Sequence, residues 1–130
     1  MSATRRRRGA RTAKRGPKYI LRRMMILLTA REKIRLHAVR SMALALMEQH
    51  NVSHYQFQFE VGRGYAGKCS YDNVITLSLR HAISDNWDKI KNTMLHEIAH
   101  ALVGPERRHR LVWQVKAREL GVRFNRKYRE

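Results

Sequence analysis

The sequence predicts an α+β fold: an N-terminal helix, a short three-stranded antiparallel sheet, a helix bearing paired histidines, and a C-terminal helix. Three observations predict it. Apolar residues recur at helical spacing over residues 30–49 and again over 87–102. Between them, Tyr55-Gln-Phe57-Gln-Phe59-Glu-Val61 alternates strictly between apolar and polar residues, as a half-buried strand does. Gly104-Pro105 and Gly121 supply helix stops.

The first helix begins at Thr29, where Thr-Ala-Arg-Glu is a capping-box pattern: Thr29 caps and Glu32 reaches back. Ile34, Ala38, Met42, Ala45 and Gln49 then form one stripe, which Leu36, Val39, Leu46 and Met47 widen. His50-Asn51 ends it. After the strand at 55–61, Gly62, Gly64 and Gly67 mark turns, with Tyr65 and Ala66 in a short strand between them. Residues 73–79 are β-rich and follow a Tyr71-Asp72-Asn73 turn. Ser84 or Asp85 caps the next helix, whose stripe is Trp87, Ile90, Met94, Ile98, Ala101 and Leu102. The last helix holds Leu111, Val115 and Leu120 and stops at Gly121.

The chain has 130 residues, a length suited to one domain, and 43% are hydrophobic, enough for a core. Met24–Ala30 is its longest uncharged apolar run, far short of the ~20 residues of a membrane span. Charged residues follow that run at once, so neither a secretory signal nor a membrane contact is expected, and an intracellular location is. Cys69 stands alone and cannot form an internal disulfide; it reads as a small buried residue at a strand start.

Charge is the extreme property: 28 Lys plus Arg against 10 Asp plus Glu give +18. It is uneven. Residues 1–40 hold 14 basic and 1 acidic residue, residues 41–100 hold 5 and 6, and residues 101–130 hold 9 and 3. Residues 1–27 are expected to form a disordered basic arm, with Gly9, Gly16 and Pro17 breaking any helix, and residues 122–130 a basic tail. Arg5, Arg6, Arg7, Arg8, Arg11, Lys14, Arg15 and Lys18 of the arm would neutralise phosphates and release counterions. The expected partner is therefore nucleic acid, DNA before RNA, bound without sequence preference.

The chemistry lies in His96-Glu97-Ile98-Ala99-His100, an HExxH pattern. Positions i and i+4 share a helix face, so both imidazoles can reach one Zn²⁺ ion. Glu97 is turned about 100° from His96, beside the ion but not bound to it, where it can take a proton from a zinc-bound water. A catalytic zinc needs a third protein ligand and one open position. Glu106 follows Pro105 just past the helix; His109 is better placed, because the Gly104-Pro105 break lets the chain return; His81, after the last strand, is a further candidate. His37, His50 and His54 lie in or near the first helix and carry no such signal. No phosphate-cradling glycine loop or carboxylate cluster points to a nuclease.

With these residues in view, the chain resembles the SprT-like zinc metallopeptidases, which include the Spartan proteases. The resemblance rests on His96-Glu-Ile-Ala-His100-Ala-Leu-Val-Gly and on His109-Arg-Leu-Val-Trp113, similar to the family's His-Gly-x-x-Trp block. Upstream, Ala66-Gly-Lys-Cys69 and Ile75-Thr-Leu-Ser78 are similar to its Gly-x-Cys and Ile-x-Leu-Ser strands, and Leu28-Thr29 and Phe57-x-Phe59 fit. It spans residues 28–121. It implies a zincin-like domain there, one Zn²⁺ held by His96, His100 and His109, Glu97 as catalytic acid/base, and Trp113 packed near the site. For the Spartan branch it implies protein substrates trapped on DNA, hence a role in DNA–protein crosslink repair. Arg110 stands where the family usually has Gly, and the C-terminal zinc ribbon of many members has no counterpart after Gly121. The expected function is a zinc metallopeptidase acting on DNA-associated proteins, monomeric by default; the alternative is a non-catalytic zinc-containing DNA-binding protein.

Overall fold

Helix α1 spans Pro17–Leu27 and α2 spans Ala30–Gln49 in the computed structural model, which describes residues 17–61, 64–105 and 108–124. Pro17, expected to break a helix, opens one instead. At the first helical position its missing N–H has no intrahelical partner to lose. The last part of the expected arm is thus helical. The arm residues Arg5, Arg6, Arg7, Arg8, Arg11, Lys14 and Arg15 lie outside the described residues, as does the side chain of Lys18.

Both halves of the expected capping box start α2: Glu32 N–H donates to Thr29 Oγ1 at 3.1 Å, and Thr29 N–H donates to Glu32 Oε1 at 2.9 Å. The buried stripe, however, is Leu36, Val39, Ala43, Leu46 and Met47, while Ile34 is 71% exposed. The helix is apolar on more than one face, and packing selects between faces of equal period.

Strands β1 (Gln56–Glu60), β2 (Gly67–Ser70) and β3 (Val74–Ser78) form one sheet in the order β1-β3-β2. The all-antiparallel expectation is corrected. β2 and β3 form an antiparallel hairpin closed by Asn73 at φ 64°, but β1 pairs with β3 in parallel, Phe57 opposite Ile75. A parallel pair needs a crossover of roughly a dozen residues, and residues 61–73, which contain β2 itself, provide it. As the middle strand, β3 is covered on both faces; Ile75, Thr76 and Leu77 are fully buried.

Gly67, expected in a turn, opens β2. Leu79, expected in a strand, opens a short helix α3 (Leu79–Ser84), whose cap is Ser78. Helix α4 (Trp87–Val103) is capped by Asn86, whose Oδ1 accepts from Lys89 N–H at 2.9 Å, and not by Ser84 or Asp85. Its core face is Ile90, Met94 and Ile98, all fully buried, and it packs against β2, β3, α2 and a last helix, α5 (Leu111–Leu120). In α5 only Leu120 of the expected apolar set packs against the core. Leu111 and Val115 are 72% and 50% exposed, while Trp113 and Ala117 are buried. Gly121 ends α5 in the left-handed region at φ 88°, as the sequence expects. Among the described residues, no helix is long and apolar enough to cross a membrane.

Candidate metal centre

Helix α4 carries two chemistries on two faces. Its apolar face faces the core, and the face a third of a turn away holds His96 and His100, 6% and 8% exposed, one turn apart. The chain then leaves the helix at Gly104, whose φ of 102° reverses its direction in a conformation that favours glycine. That reversal returns His109 to the helix. Its Nε2 lies 3.0 Å from His96 Nε2, and the ligand atoms of His96, His100 and His109 all fall within 4.8 Å of one another.

Trp113 floors this cluster. It is fully buried, and its ring centroid lies 4.6 Å from that of His96, 4.7 Å from His109 and 5.1 Å from His100, which it stacks on. Trp113 Nε1–H donates to the His96 carbonyl at 3.2 Å, and Phe124 packs edge-on behind it. Gln114, on the first turn of α5, donates from Nε2 to the His109 carbonyl at 2.8 Å and so fixes the segment that presents that ring.

The donor set fits a metal ion on three grounds. Burial, followed by the charges of His100 and His109, pushes His96 down to about 3; burial, followed by His109, pushes His100 down to about 4. Both are therefore neutral near pH 7 and offer lone pairs, as metal ligands must. Two nitrogens bound at about 2.05 Å to one tetrahedral ion stand about 3.3 Å apart, close to the 3.0 Å between His96 and His109. Third, Nδ1 of His100 is buried with no hydrogen-bond partner among the described residues, an arrangement costly for a ring with no further purpose. The chemistry of three imidazoles suits zinc.

Glu97 lies beside the cluster, 3.8 Å from His96 Nε2 by its Oε2, and is 5% exposed. Burial alone raises its carboxyl to about 8, so it holds a proton at neutral pH unless a cation is close. Its stem is pressed by β2: a Cβ at Gly67 would lie 3.2 Å from Glu97 Cγ.

Of the sequence candidates, His96, Glu97, His100 and His109 come together. His81 does not join them. It is buried in α3, where Nδ1 bonds to Asp85 Oδ2 and Nε2 lies 2.8 Å from Thr93 Oγ1. Glu106 lies outside the described residues. Cys69 is half-buried and outside the imidazole cluster; burial, followed by the Glu97 charge, pushes its thiol up to about 12, which keeps it protonated and inert. Arg110 is exposed, with φ −74° and ψ 176°, an extended backbone any residue adopts, so its position does not demand glycine. Sequence reasoning missed Gln114 and the tight approach of Gly67. Neither has a local signal, because both depend on which segments pack together.

Comparison with known proteins agrees with the geometry. A family model described as the SprT-like family matches residues 31–129. No curated protein and no solved structure matches the chain. The match covers most of the chain, including α2, the sheet, both helical histidines and His109, so the chain belongs to the SprT-like family, a metallopeptidase-type family.

Proposed function

We propose that the chain is a zinc-dependent peptidase that hydrolyses peptide bonds in proteins associated with DNA. The observation that carries the reading is the convergence of His96, His100 and His109 beside a buried carboxyl. Those three imidazoles would hold Zn²⁺, which when bound supplies Lewis acidity, polarising a carbonyl and making water acidic near neutral pH.

The chain's own groups supply the rest. Glu97 is the proton carrier: its carboxylate takes the proton of the attacking water and passes it to the leaving amine nitrogen. Its low exposure keeps bulk water from exchanging that proton. Trp113 holds the three rings at fixed spacing and closes the floor against solvent. The DNA part of the reading rests on the basic flanks, above all on Arg5, Arg6, Arg7, Arg8, Arg11, Lys14, Arg15 and Lys18, which would hold the protein on phosphates.

The test is cleavage of a protein substrate with and without DNA, in wild type and Glu97→Gln, alongside zinc stoichiometry. We expect about one zinc per chain, lost in His96→Ala, and DNA-stimulated cleavage abolished in Glu97→Gln. Retained cleavage in Glu97→Gln removes the mechanism. Bound zinc and salt-sensitive DNA binding without any cleavage selects the non-catalytic DNA-binding alternative.

A further inference from the structure

We propose that His81 is a positioning residue for Glu97, acting through Thr93; the inference rests on the peptidase reading above. The geometry starts at α3. Ser78 Oγ caps this short helix, accepting from His81 N–H, and Arg35 of α2 ties down its end, donating to the carbonyls of Ala82 at 3.2 Å and Asp85 at 2.6 Å. The His81 ring is thereby aimed inward, 8% exposed, between Asp85 and helix α4.

Donor accounting fixes its role. Thr93 Oγ1–H donates to the Lys89 carbonyl at 3.0 Å. The hydroxyl has one hydrogen, so toward His81 its oxygen can only accept, and His81 Nε2 must carry the hydrogen across the 2.8 Å contact. Nδ1 bonds to the Asp85 carboxylate. His81 is thus clamped between Asp85 and Thr93, and the clamp holds the Thr93 side chain in one rotamer.

Thr93 in turn touches what matters. It lies one turn before Glu97 on the same face of α4. A Cβ at Gly67 would meet Thr93 Cγ2 at 2.9 Å and Glu97 Cγ at 3.2 Å, so Thr93 and the Glu97 stem form adjacent stops against the same point of β2. With the Thr93 rotamer fixed, β2 keeps its distance from α4 and the Glu97 stem has one place to lie. A general base displaced by about 1 Å loses up to about 100-fold in rate, so a clamp on this spacing bears on kcat.

The experiment uses the full zinc-loaded chain: wild type, His81→Ala, Thr93→Val, the double variant and Thr93→Ser, each measured for zinc content, kcat and KM. Each single variant should lose about 10-fold in kcat with zinc content and KM unchanged. The double variant should lose no more than either single one, and Thr93→Ser, which keeps the hydroxyl but deletes the Cγ2 stop against β2, should lose rate as Thr93→Val does. Thr93→Val is isosteric, so it tests the link even where His81→Ala does not fold. Wild-type kcat in Thr93→Val, or losses that multiply in the double variant, overturns the proposal. Should wild type cleave nothing, the peptidase reading fails by itself, and crystal structures of wild type and Thr93→Val decide the clamp. A Glu97 side chain that shifts with residue 93 supports it, and one that stays in place overturns it.

Discussion

Replacing Gly67 with Ala adds a methyl group where β2 and α4 leave no room. Its Cβ would lie 2.9 Å from Thr93 Cγ2, 3.1 Å from the Thr76 carbonyl oxygen and 3.2 Å from Glu97 Cγ. Relaxed carbon contacts lie at about 3.5–4.0 Å, so all three neighbours must retreat by several tenths of an ångström. Thr76 O belongs to the central strand, and Thr93 is held by His81, so neither gives easily. The backbone of Gly67 is not in the left-handed region, unlike Gly64 and Gly121 at φ 83° and 88°, and the cost is therefore steric alone. Overpacking of this kind costs about 1–3 kcal/mol. For a domain of about 100 residues that lowers Tm by about 5–15 °C. Scanning calorimetry in excess chelator reads this cost without a contribution from bound metal. Adding Thr93→Ser to Gly67→Ala deletes the nearest colliding atom and should return about 1 kcal/mol, a coupling visible in a double-mutant cycle. A wild-type Tm in Gly67→Ala, or a second substitution that worsens the first, would refute the reasoning.

Two further outcomes are expected. Trp113→Ala empties the floor beneath the three imidazoles and should cost about 3–5 kcal/mol in urea unfolding of the metal-free chain; a loss below about 1 kcal/mol would show that the rings do not depend on it. The metal-free chain should also be most stable near pH 6.5. His96 and His100 sit at about 3 and about 4 against an ordinary 6.5, so their contribution is present above 6.5 and is lost as pH falls through the window below it. Glu97 sits at about 8 against 4.5, so its contribution is present at low pH and is lost as pH rises to about 8. Below 6.5 the two histidines outweigh the one carboxyl, and above it the carboxyl acts alone. Melting in chelator from pH 4 to 9 measures the profile, and a steady rise to pH 9 would contradict it.

The parts of the fold that were legible in the sequence are those fixed by neighbours in the chain. The Thr29–Glu32 box, the Gly121 stop and the pairing of His96 with His100 each need only a few residues, and each appears where the spacing put it. What was not legible depends on partners far along the chain. Strand alternation says which side chains share a face, not which strand lies alongside, so β3 between β1 and β2 could not be read. The same holds for α2 and α5, whose sequences offer two apolar faces each; the choice belongs to the surfaces they meet. His109 is an intermediate case. The Gly104-Pro105 break signals that the chain can return, which favours this histidine over His81, and the family resemblance then implies it as the third ligand. The role of His81 was not legible, because its partners, Asp85 and Thr93, are ordinary residues in sequence.

Helix α4 has one further consequence, for the order in which this site comes apart. His96 and His100 stand on the same helix as Ile90, Met94 and Ile98, at the centre of the core. Their amides can exchange with solvent hydrogen only when the domain as a whole opens. His109 sits in a turn between two helices, where Gln114 donates to its carbonyl and Trp113 packs on its ring. Segments of that kind open at far lower free energy. An ion bound here would therefore leave by a hinge: the His109 segment lifts first, two imidazoles stay in place, and release is set by that local opening rather than by the stability of the fold.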